Sequence, residues 1–409
     1  MHRVLIISYY FPPSGGAGVQ RVLKWTKYLR DFDVEPVVLT VESGAYPQLD
    51  PTLRRDLPDG IEIHRTKAVS PFGLYAKITG RSRQDAVDAT TGHIGKGAGL
   101  LEKSARWIRA NVFVPDARVG WGPFAIRKGK SLIGEADFSA VITSGPPHSV
   151  HLIGRALHRT TTIPWVADFR DPWTDISYYD ELPRSRLVAS FDKRLERAVL
   201  AEATSVITVS PTWRDTLLQK VDRKPKDFHV IQNGFDPEDF LEEVPLPYDG
   251  IFVLSYVGSL YGSRNPDALF AAIKHLRDGN AIQRFRLRLI GRIGEDVRQQ
   301  LVERGLSEIV DIVPYLPHRE AIVEMRRANA LLLTIEPYKL DKGNLTGKIY
   351  EYLASGRPIV ALGPVGGDAD RLLQKTGGGR LFGRDDTSGI SDHLSDLYAT
   401  WERGESIGG

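Results

Sequence analysis

The sequence predicts an α/β protein with two doubly wound domains, each a parallel sheet covered by helices. Short apolar and β-branched runs alternate with segments of helical periodicity along most of the chain, which is the pattern of βαβ units. This alternation stops at a Pro- and acid-rich stretch, 236–250, and then starts again. The 409 residues are enough for two or three domains.

The predicted elements follow this alternation in order. The strands are predicted at 4–8, 36–41, 61–65, 140–143, 164–168, 205–209 and 229–232, then at 252–257, 286–290, 309–313, 330–335 and 358–362. The helices are predicted at 19–30, 150–159, 187–201 and 212–220, then at 266–278, 294–304, 319–327, 346–355 and 369–376. We therefore expect an N-terminal domain over 1–240, a linker over 241–250, a C-terminal domain over 251–385, and a final helix and tail over 386–409.

The composition excludes several classes of protein. Hydrophobic residues make up 42% and charged residues 26%, which is typical of a globular chain and excludes one that is mainly disordered. The absence of cysteine excludes disulfides, thiolate metal sites and cysteine nucleophiles. No apolar run approaches the ~20 residues that span a bilayer, and Val4–Ile7 is too short for the core of a signal peptide. We expect a cytoplasmic protein.

Positive charge is concentrated in residues 77–130. This segment holds eleven Lys or Arg and four Asp or Glu, a net charge of +7, whereas the whole chain has only +3. Within this segment, residues at helical spacing form a largely apolar face, and basic residues lie beside that face. The residues of the apolar face are Leu100, Leu101, Ser104, Trp107, Ile108 and Val112. The basic residues are Lys103, Arg106 and Arg109. A cationic amphipathic helix predicts peripheral attachment to an anionic membrane surface, not nucleic-acid binding. The alternative is a helix packed in the core with solvated charges.

The loops after strands are the expected binding sites, because ligands of open α/β sheets bind beyond the carboxyl ends of the strands. The first such loop carries Gly15, Gly16 and Gly18 before a helix, which suits a phosphate or a closely approaching sugar. A dinucleotide fingerprint beginning at Gly16 would need a glycine at Arg21, so that function is disfavoured. A plain tight turn remains the other alternative.

Two further loops of the first half combine polar and aromatic residues. Asp168, Asp171 and Trp173 follow a strand, where carboxylates can accept hydroxyl hydrogen bonds and an indole can stack on a sugar ring. The alternative is an ion pair of Asp171 with Arg170 and a Trp173 buried in the core. His148 lies between a strand and a helix, and it is either a cleft residue or a structural histidine.

The second half contains two loops suited to a diphosphate. Gly258, Ser259 and Arg264 lie between a strand and a helix, where glycine, hydroxyl and guanidinium groups can hold phosphate oxygens. The stretch 342–358 is a glycine-flanked polar loop that runs into a helix carrying Lys348 and Glu351. Lys348 is expected near the phosphates, and Glu351, one turn deeper, near the hydroxyls of a ribose. The alternatives are a capped helix and a solvated Lys–Glu pair.

With these motifs the sequence resembles the GT-B glycosyltransferases, specifically the large retaining family four and its bacterial polysaccharide type. The segment 347–359, Gly-Lys-Ile-Tyr-Glu-Tyr-Leu-Ala-Ser-Gly-Arg-Pro-Ile, resembles the donor-binding helix of that family. Five other segments occur in the expected order: the glycine-rich loop, 168–173, 207–211, 230–236 and 256–260. The resemblance covers nearly the whole chain. It implies two Rossmann-like domains facing across a cleft.

The resemblance also implies a role for each site residue. The nucleotide-diphosphate sugar is a substrate, and no resident cofactor or metal is implied. Glu351 would bind the ribose, while Ser259, Arg264 and Lys348 would neutralise the diphosphate. The segment Tyr315–Pro317, with Leu316 between them, would supply main-chain contacts to the base. The other donor-side residues would be Gly16, Gly18, Gly258, Asn344, Leu345 and Thr346. His148 and Asp171 would be catalytic residues on the acceptor side, together with Asp168 and Trp173.

One departure from the family keeps other functions open. Many members have a second glutamate eight residues before the ribose-binding one, and Gly343 occupies that place here, with Asp341 as the nearest substitute. The acceptor is expected to be a glycan or a lipid-linked glycan. A sugar-nucleotide 2-epimerase of the same fold and a non-catalytic nucleotide-sugar-binding subunit are the alternative functions.

Overall fold

The computed structural model describes residues 1–44, 46, 49–69, 100–176, 179, 182–242, 244, 248 and 250–408. The chain divides into two compact units, Met1–Gln232 and Asn233–Gly409. This division falls eight residues before the predicted boundary at 240, because Phe240 packs against the core of the second unit. The finer division into a linker at 241–250 and a tail at 386–409 stays a prediction.

The first unit is built on a seven-stranded sheet in which every pairing is parallel. Its order is β3-β2-β1-β4-β5-β6-β7. The strands are β1 (His2–Ile7), β2 (Val34–Val41), β3 (Glu62–Thr66), β4 (Ala140–Gly145), β5 (Trp165–Phe169), β6 (Ser205–Thr208) and β7 (Phe228–Val230). The central strands are almost continuously apolar, because helices cover both faces of a parallel sheet.

The described helices of the first unit connect these strands. They are α1 (Ala17–Tyr28), α2 (Leu100–Val112), α3 (Gly122–Glu135), α4 (Ser149–Thr161), α5 (Arg186–Glu202) and α6 (Pro211–Leu218). Serine side chains cap two of them, because Ser185 Oγ accepts from Val188 N and Ser210 Oγ accepts from Trp213 N. Helix α3, which the strand-and-helix pattern had not predicted, packs on β2, β3 and α4.

The second unit repeats the architecture with six parallel strands in the order β10-β9-β8-β11-β12-β13. The strands are β8 (Phe252–Val257), β9 (Phe285–Ile290), β10 (Val310–Val313), β11 (Ala330–Thr334), β12 (Ile359–Leu362) and β13 (Gly379–Phe382). The helices are α7 (Asp267–Asp278), α8 (Glu295–Glu303), α9 (His318–Arg327), α10 (Lys348–Ala354), α11 (Asp368–Thr376) and α12 (Thr387–Glu402). Helix α12 packs on α7 in the main apolar core.

The prediction of two doubly wound α/β domains is confirmed, although β13 was missed. In each sheet the strand order reverses once, between β1 and β4 and between β8 and β11. Such switch points leave a crevice beyond the carboxyl ends of the strands, and the predicted loops of each unit begin there. No helix among the residues that the structure describes is long and apolar enough to cross a membrane.

Candidate functional site

In the second unit, the loop after β8 is shaped by Gly258. This residue has φ +135°, a conformation that side-chain-bearing residues rarely adopt, and its N–H donates to Ile290 O at 2.8 Å. A Cβ at this position would overlap Lys348 Nζ. Glycine is therefore required for the ammonium group of α10 to approach the end of β8.

Tyr256 joins the two predicted diphosphate loops. Lys348 Nζ donates to the Tyr256 hydroxyl at 3.3 Å and lies 4.6 Å from the centre of its ring. The same hydroxyl donates to Ser259 O at 2.8 Å. The loop after β8 and the start of α10, separated by some ninety residues of sequence, thus meet in this unit. Their shared role in binding a diphosphate stays a prediction.

Arg264 is held by a carboxylate that sequence reasoning had missed. Its Nη2 donates to Glu336 Oε2 at 3.0 Å, and Ser263 Oγ donates to Glu336 Oε1 at 3.1 Å. Burial opposes the charged form of Arg264, but attraction by Glu336 outweighs burial and raises its pKa. The position of Glu336, two residues after β11, was the available signal, because loops after strands were the places to search.

Glu351 also has a partner that was not predicted. His318 Nε2 lies 2.8 Å from Glu351 Oε1, and His318 Nδ1 lies 4.0 Å from Asp239 Oδ2. Because an ionised carboxylate only accepts hydrogen bonds, the hydrogen is assigned to Nε2 in this contact. The imidazole thus stands between two carboxylates, one of them the predicted ribose ligand. His318 begins the helix that follows the predicted base-binding segment, 315–317.

The other predicted donor-side residues lie on the loops around these groups. Leu345 is buried, so only its main chain can face a ligand, and Thr346 Oγ1 is buried with no hydrogen-bond partner in the described part of the chain. Asn344 N–H donates to Asp341 O at 2.9 Å, and Asp341 Oδ2 accepts from Arg384 at 2.8 Å. The nearest substitute for the glutamate missing at 343 is therefore already paired.

The segment Tyr315–Pro317 leads from β10 into α9. The Tyr315 side chain is exposed, whereas Leu316 and Pro317 are half-buried. Leu316 packs against one of the apolar cores of this unit. The segment therefore offers an exposed ring and main-chain groups, as a base-binding segment requires, and its contact with a base stays a prediction.

In the first unit, Arg170 joins the first turn of α1, which carries Gly18, to the loop before α4, which carries His148. Its Nη1 donates to Gly18 O at 2.5 Å, its Nε to Gly145 O at 3.0 Å and its Nη2 to Pro146 O at 2.8 Å. Gly16 precedes α1 with φ +86°, and a Cβ there would meet nothing within 4 Å. The glycine-rich loop is therefore open on the side of Gly16.

Asp168 was predicted to accept hydrogen bonds from ligand hydroxyls, and the structure places it elsewhere. Its side chain is completely buried, and Arg21 binds both its oxygens at 3.1 Å. Ser144 Oγ donates to it at 2.7 Å. Arg21 also donates to Gln232 O and Ile231 O, at 3.0 and 2.9 Å. Asp168 therefore orders this end of the sheet, since internal donors occupy its carboxylate.

Trp173 is likewise placed in the core, as the alternative interpretation held. Its ring stacks on His148 at 5.3 Å between centres, and its Nε1–H donates to Asp192 at 2.9 Å. His148 is buried, and its burial and the nearby cations lower its pKa well below the usual value, so the ring is neutral. Asp171 is half-buried and acts electrostatically on Arg170. Their catalytic roles stay predictions.

No group of three or more His, Cys, Asp or Glu able to hold a metal ion occurs within the described ranges. In the second unit, a cation on the loop after β8, another at the start of α10 and a carboxylate one turn into α10 suit a diphosphate joined to a ribose. Two Rossmann-like parallel sheets of seven and six strands, with such loops at their switch points, define the GT-B class of glycosyltransferases.

Comparison with known families places the chain within that class. Residues 14–239 match the model of Glycosyltransferase Family 4, and residues 251–400 match the model of Glycosyl transferases group 1. The chain belongs to Glycosyltransferase Family 4 and is an enzyme that uses a nucleotide-sugar donor. The predicted family, fold and enzyme class are confirmed, and the family match favours a transferase over the epimerase alternative.

Solved structures show the same fold at low sequence identity. A glycosyltransferase from Rickettsia africae ESF-5 gives a TM-score of 0.64 at 13% identity, with 99% of this chain and 91% of that chain covered. Sucrose-phosphate synthase from Thermosynechococcus elongatus gives 0.63 at 15%, with 100% and 92% covered. Anabaena Alr3699/HepE, solved in complex with UDP-glucose, gives 0.61 at 16%, with 100% and 92% covered. A search of curated proteins finds no significant match.

Proposed function

We propose that this enzyme transfers a sugar, with retention, from a nucleoside-diphosphate sugar to a glycan or lipid-linked glycan in the synthesis of cell-surface polysaccharide or glycoconjugate. The observation that carries the donor half of the proposal is the approach of Lys348 to the end of β8, next to Gly258 and in the same unit as Arg264. Two cations, one on the loop after β8 and one at the start of α10, suit a ligand with two linked phosphates.

In this reaction the protein acts mainly by stabilising charge. The bond from the anomeric carbon to the diphosphate oxygen breaks as the acceptor oxygen bonds to the same face of that carbon. Arg264 and Lys348 hold the departing oxygens while negative charge develops on them, which lowers the barrier most when the site is preorganised. The acceptor proton passes to the leaving diphosphate, so the step balances without a protein nucleophile.

The remaining residues bind and orient the two substrates. Glu351 accepts hydrogen bonds from the ribose, and the segment 315–317 contacts the base. Gly16 and Gly18 let the main chain approach the donor. His148, neutral and buried behind Trp173, and Asp171 belong to the acceptor side of the first unit.

A panel of UDP, GDP, ADP, TDP and CMP in a thermal-shift assay tests the donor half. A nucleotide at 100 times its dissociation constant stabilises the protein by about 2.7 kcal/mol. UDP is the first candidate, because the similar Anabaena protein was solved with UDP-glucose. No shift with any member of the panel would contradict the proposal.

Turnover then separates the alternative functions. With donor alone, a transferase releases nucleotide slowly, whereas a 2-epimerase converts the donor to a new nucleotide sugar. With a lipid-linked acceptor, transfer excludes a non-catalytic subunit. The stereochemistry at the anomeric carbon of the product tests retention.

We further propose that the enzyme works at the cytoplasmic leaflet, attached through the basic segment 77–130. Residues 77–99 lie outside the described residues, as does the side chain of Lys103. The side chains of Leu100 and Leu101 are likewise outside the described part of α2. The described apolar residues of the predicted face are exposed, since Trp107 is 53%, Ile108 48% and Val112 62% accessible. Exposure of this face supports attachment over the alternative of a helix packed in the core. Arg106 and Arg109 are half-buried beside it.

A further inference from the structure

Exposed apolar residues are concentrated on two helices of the first unit. Of the fifteen large apolar residues exposed in the described part of the chain, five belong to α2 and α5, which together hold only thirty residues. On α5, Leu187 is 84% and Phe191 52% accessible, and they lie one helical turn apart. Single exposed apolar residues are ordinary, but a cluster of this kind marks an interaction surface.

Asn111 ties the two helices together at the end of α2. Its Nδ2 donates to Pro183 O at 2.8 Å, and its Oδ1 accepts from Ser185 N at 2.8 Å. Ser185 is the residue that caps α5, and Val112 is the neighbour of Asn111. Arg184 adds a second tie, donating to Pro115 O at 2.8 Å. The exposed apolar residues of both helices therefore lie within two turns of one joint.

The outward face of α5 carries positive charge that is not balanced on the same helix. Its exposed charged residues are all cations, namely Arg186, Lys193, Arg194 and Arg197. None of the three acids of α5 is fully exposed. Asp192 and Glu196 are buried, and Glu202 is paired with Arg155 and Arg159.

The burial of the two inner acids is fixed by partners within the unit. Asp192 accepts from Trp173 and Tyr179, both at 2.9 Å, and pairs with Arg184. Glu196 accepts from Lys220 at 2.7 Å. Because these contacts hold the carboxylates inside, the surface of α5 presents cations beside Leu187 and Phe191. This combination of charge and apolar area is complementary to an anionic lipid interface.

We propose that the outer face of α5 is a membrane-docking surface for anionic lipid, continuous with the exposed face of α2. The inference rests on the proposed attachment of α2, and it adds a second helix that lies outside the basic segment 77–130. Leu187 and Phe191 enter the interface, while the four cations of α5 contact lipid phosphates. Each cation near an anionic surface contributes about fivefold to binding at low salt.

Vesicle sedimentation of the full chain tests the proposal, with phosphatidylcholine vesicles that contain or lack phosphatidylglycerol. The apolar variant is Leu187→Ser with Phe191→Ser, and the charge variant replaces Arg186, Lys193, Arg194 and Arg197 by Gln. Each is expected to lower the partition coefficient on anionic vesicles at least tenfold. High salt is expected to weaken vesicle binding by the parent protein more than vesicle binding by the charge variant.

Matched controls separate docking from damage to the fold. Val302→Ser and Val365→Ser remove equally exposed apolar side chains of the second unit, and they are expected to leave binding unchanged. All variants should keep the parent's thermal midpoint, because the replaced side chains are exposed. Their nucleotide-induced thermal shift should also be unchanged, since the nucleotide is expected to bind the second unit.

Three results would overturn the inference. The first is an apolar α5 variant that binds anionic vesicles as the parent does. If Trp107→Ser with Ile108→Ser abolishes binding in that case, the proposed attachment through α2 stands and only the role of α5 falls. The second is no vesicle binding by the parent, and the third is self-association that depends on Leu187 and Phe191, which would assign the face to a second copy. If instead the proposed nucleotide-sugar donor site is wrong, the protein should bind vesicles but show no thermal shift with any nucleotide.

Discussion

The contact between Glu351 and His318 makes the ribose assignment testable in detail. The two side chains are 20% and 17% exposed, and their polar atoms lie 2.8 Å apart. Because His318 occupies Oε1, the carboxylate is held in one orientation, with Oε2 remaining for a ribose hydroxyl. Removing the carboxylate should therefore remove the ribose contact and the group that His318 orients.

A hydrogen bond to a charged group contributes about 1.5–3 kcal/mol, which corresponds to about ten- to a hundredfold in affinity. Glu351→Ala is expected to weaken binding of the nucleoside diphosphate within that range. Glu351→Gln keeps an oxygen for His318 but loses the charge, so about tenfold is expected. His318→Gln leaves the ribose ligand in place and only loosens its orientation, so its effect should be the smallest.

The double variant distinguishes a positioning role from an independent one. If His318 acts only through Glu351, Glu351→Ala with His318→Gln should bind no more weakly than Glu351→Ala alone. The measurement is titration calorimetry with the nucleotide that the thermal-shift panel identifies. Glu320→Ala, an exposed acid on the same helix as His318, is the matched control.

Two outcomes would refute this reasoning. Unchanged nucleotide affinity in Glu351→Ala would remove the residue from the site. Additive losses in the double variant would show that His318 contacts the ligand itself. Urea unfolding of each variant checks that the fold is intact, so that a fall in affinity is not a fall in folded protein.

The other predictions concern charge, backbone and pH. Lys348→Ala and Arg264→Ala should each slow sugar transfer more than tenfold but change the affinity for nucleoside monophosphate little, because their charges act on the departing diphosphate. Steady-state kinetics and titration calorimetry test this prediction. Equal losses in transfer rate and in monophosphate affinity would contradict it. Gly258→Ala should destabilise the folded protein by about 1–3 kcal/mol through backbone strain, and it should displace Lys348. Urea unfolding measures the loss of stability, and the turnover rate measures the effect on Lys348. Gly250→Ala is the control for turnover, because Gly250 also has a positive φ but a Cβ there would meet no neighbouring atom. Burial lowers the pKa of His151 to about 3, so the neutral ring stabilises the fold above about pH 6.5, and that stability is lost as pH falls toward 3 by up to about 1.4 kcal/mol per unit. His151→Leu should flatten the dependence of unfolding free energy on pH between 6 and 4, and an unchanged slope would refute the assignment.

The fold was readable from the sequence because its signals are local. Runs such as 36–41 and 252–257 are mostly apolar or β-branched, and helical periodicity follows most of them, so strand and helix order could be predicted. Strand β13 was missed because Gly379 begins it and only Leu381 and Phe382 are buried, which is too short a signal. Helix α3 was missed because its three glycines and one proline weaken the helical signal of its sequence.

The loops of the candidate site were predictable, but their internal partners were not. Gly258 could be placed at a strand end and Lys348 near the start of a helix from sequence alone, since both positions are local properties. The pairing of Arg264 with Glu336 spans 72 residues, and that of Arg21 with Asp168 spans 147. Such pairings depend on which strands become neighbours, and that order cannot be read from local patterns in one sequence. The role of Trp173 was ambiguous in the sequence, because an indole ring can either pack in an apolar core or stack on a sugar ring.

The pairing of Arg264 with Glu336 has a consequence for how the enzyme ends each cycle. The Arg264 guanidinium is paired with Glu336 in this structure, so under the proposed function a nucleoside diphosphate would have to displace that carboxylate in order to bind. The same carboxylate would compete for Arg264 after the sugar has been transferred, and it would favour release of the nucleotide product. Inhibition of the enzyme by its own nucleotide product would then be weaker than if Arg264 had no internal partner.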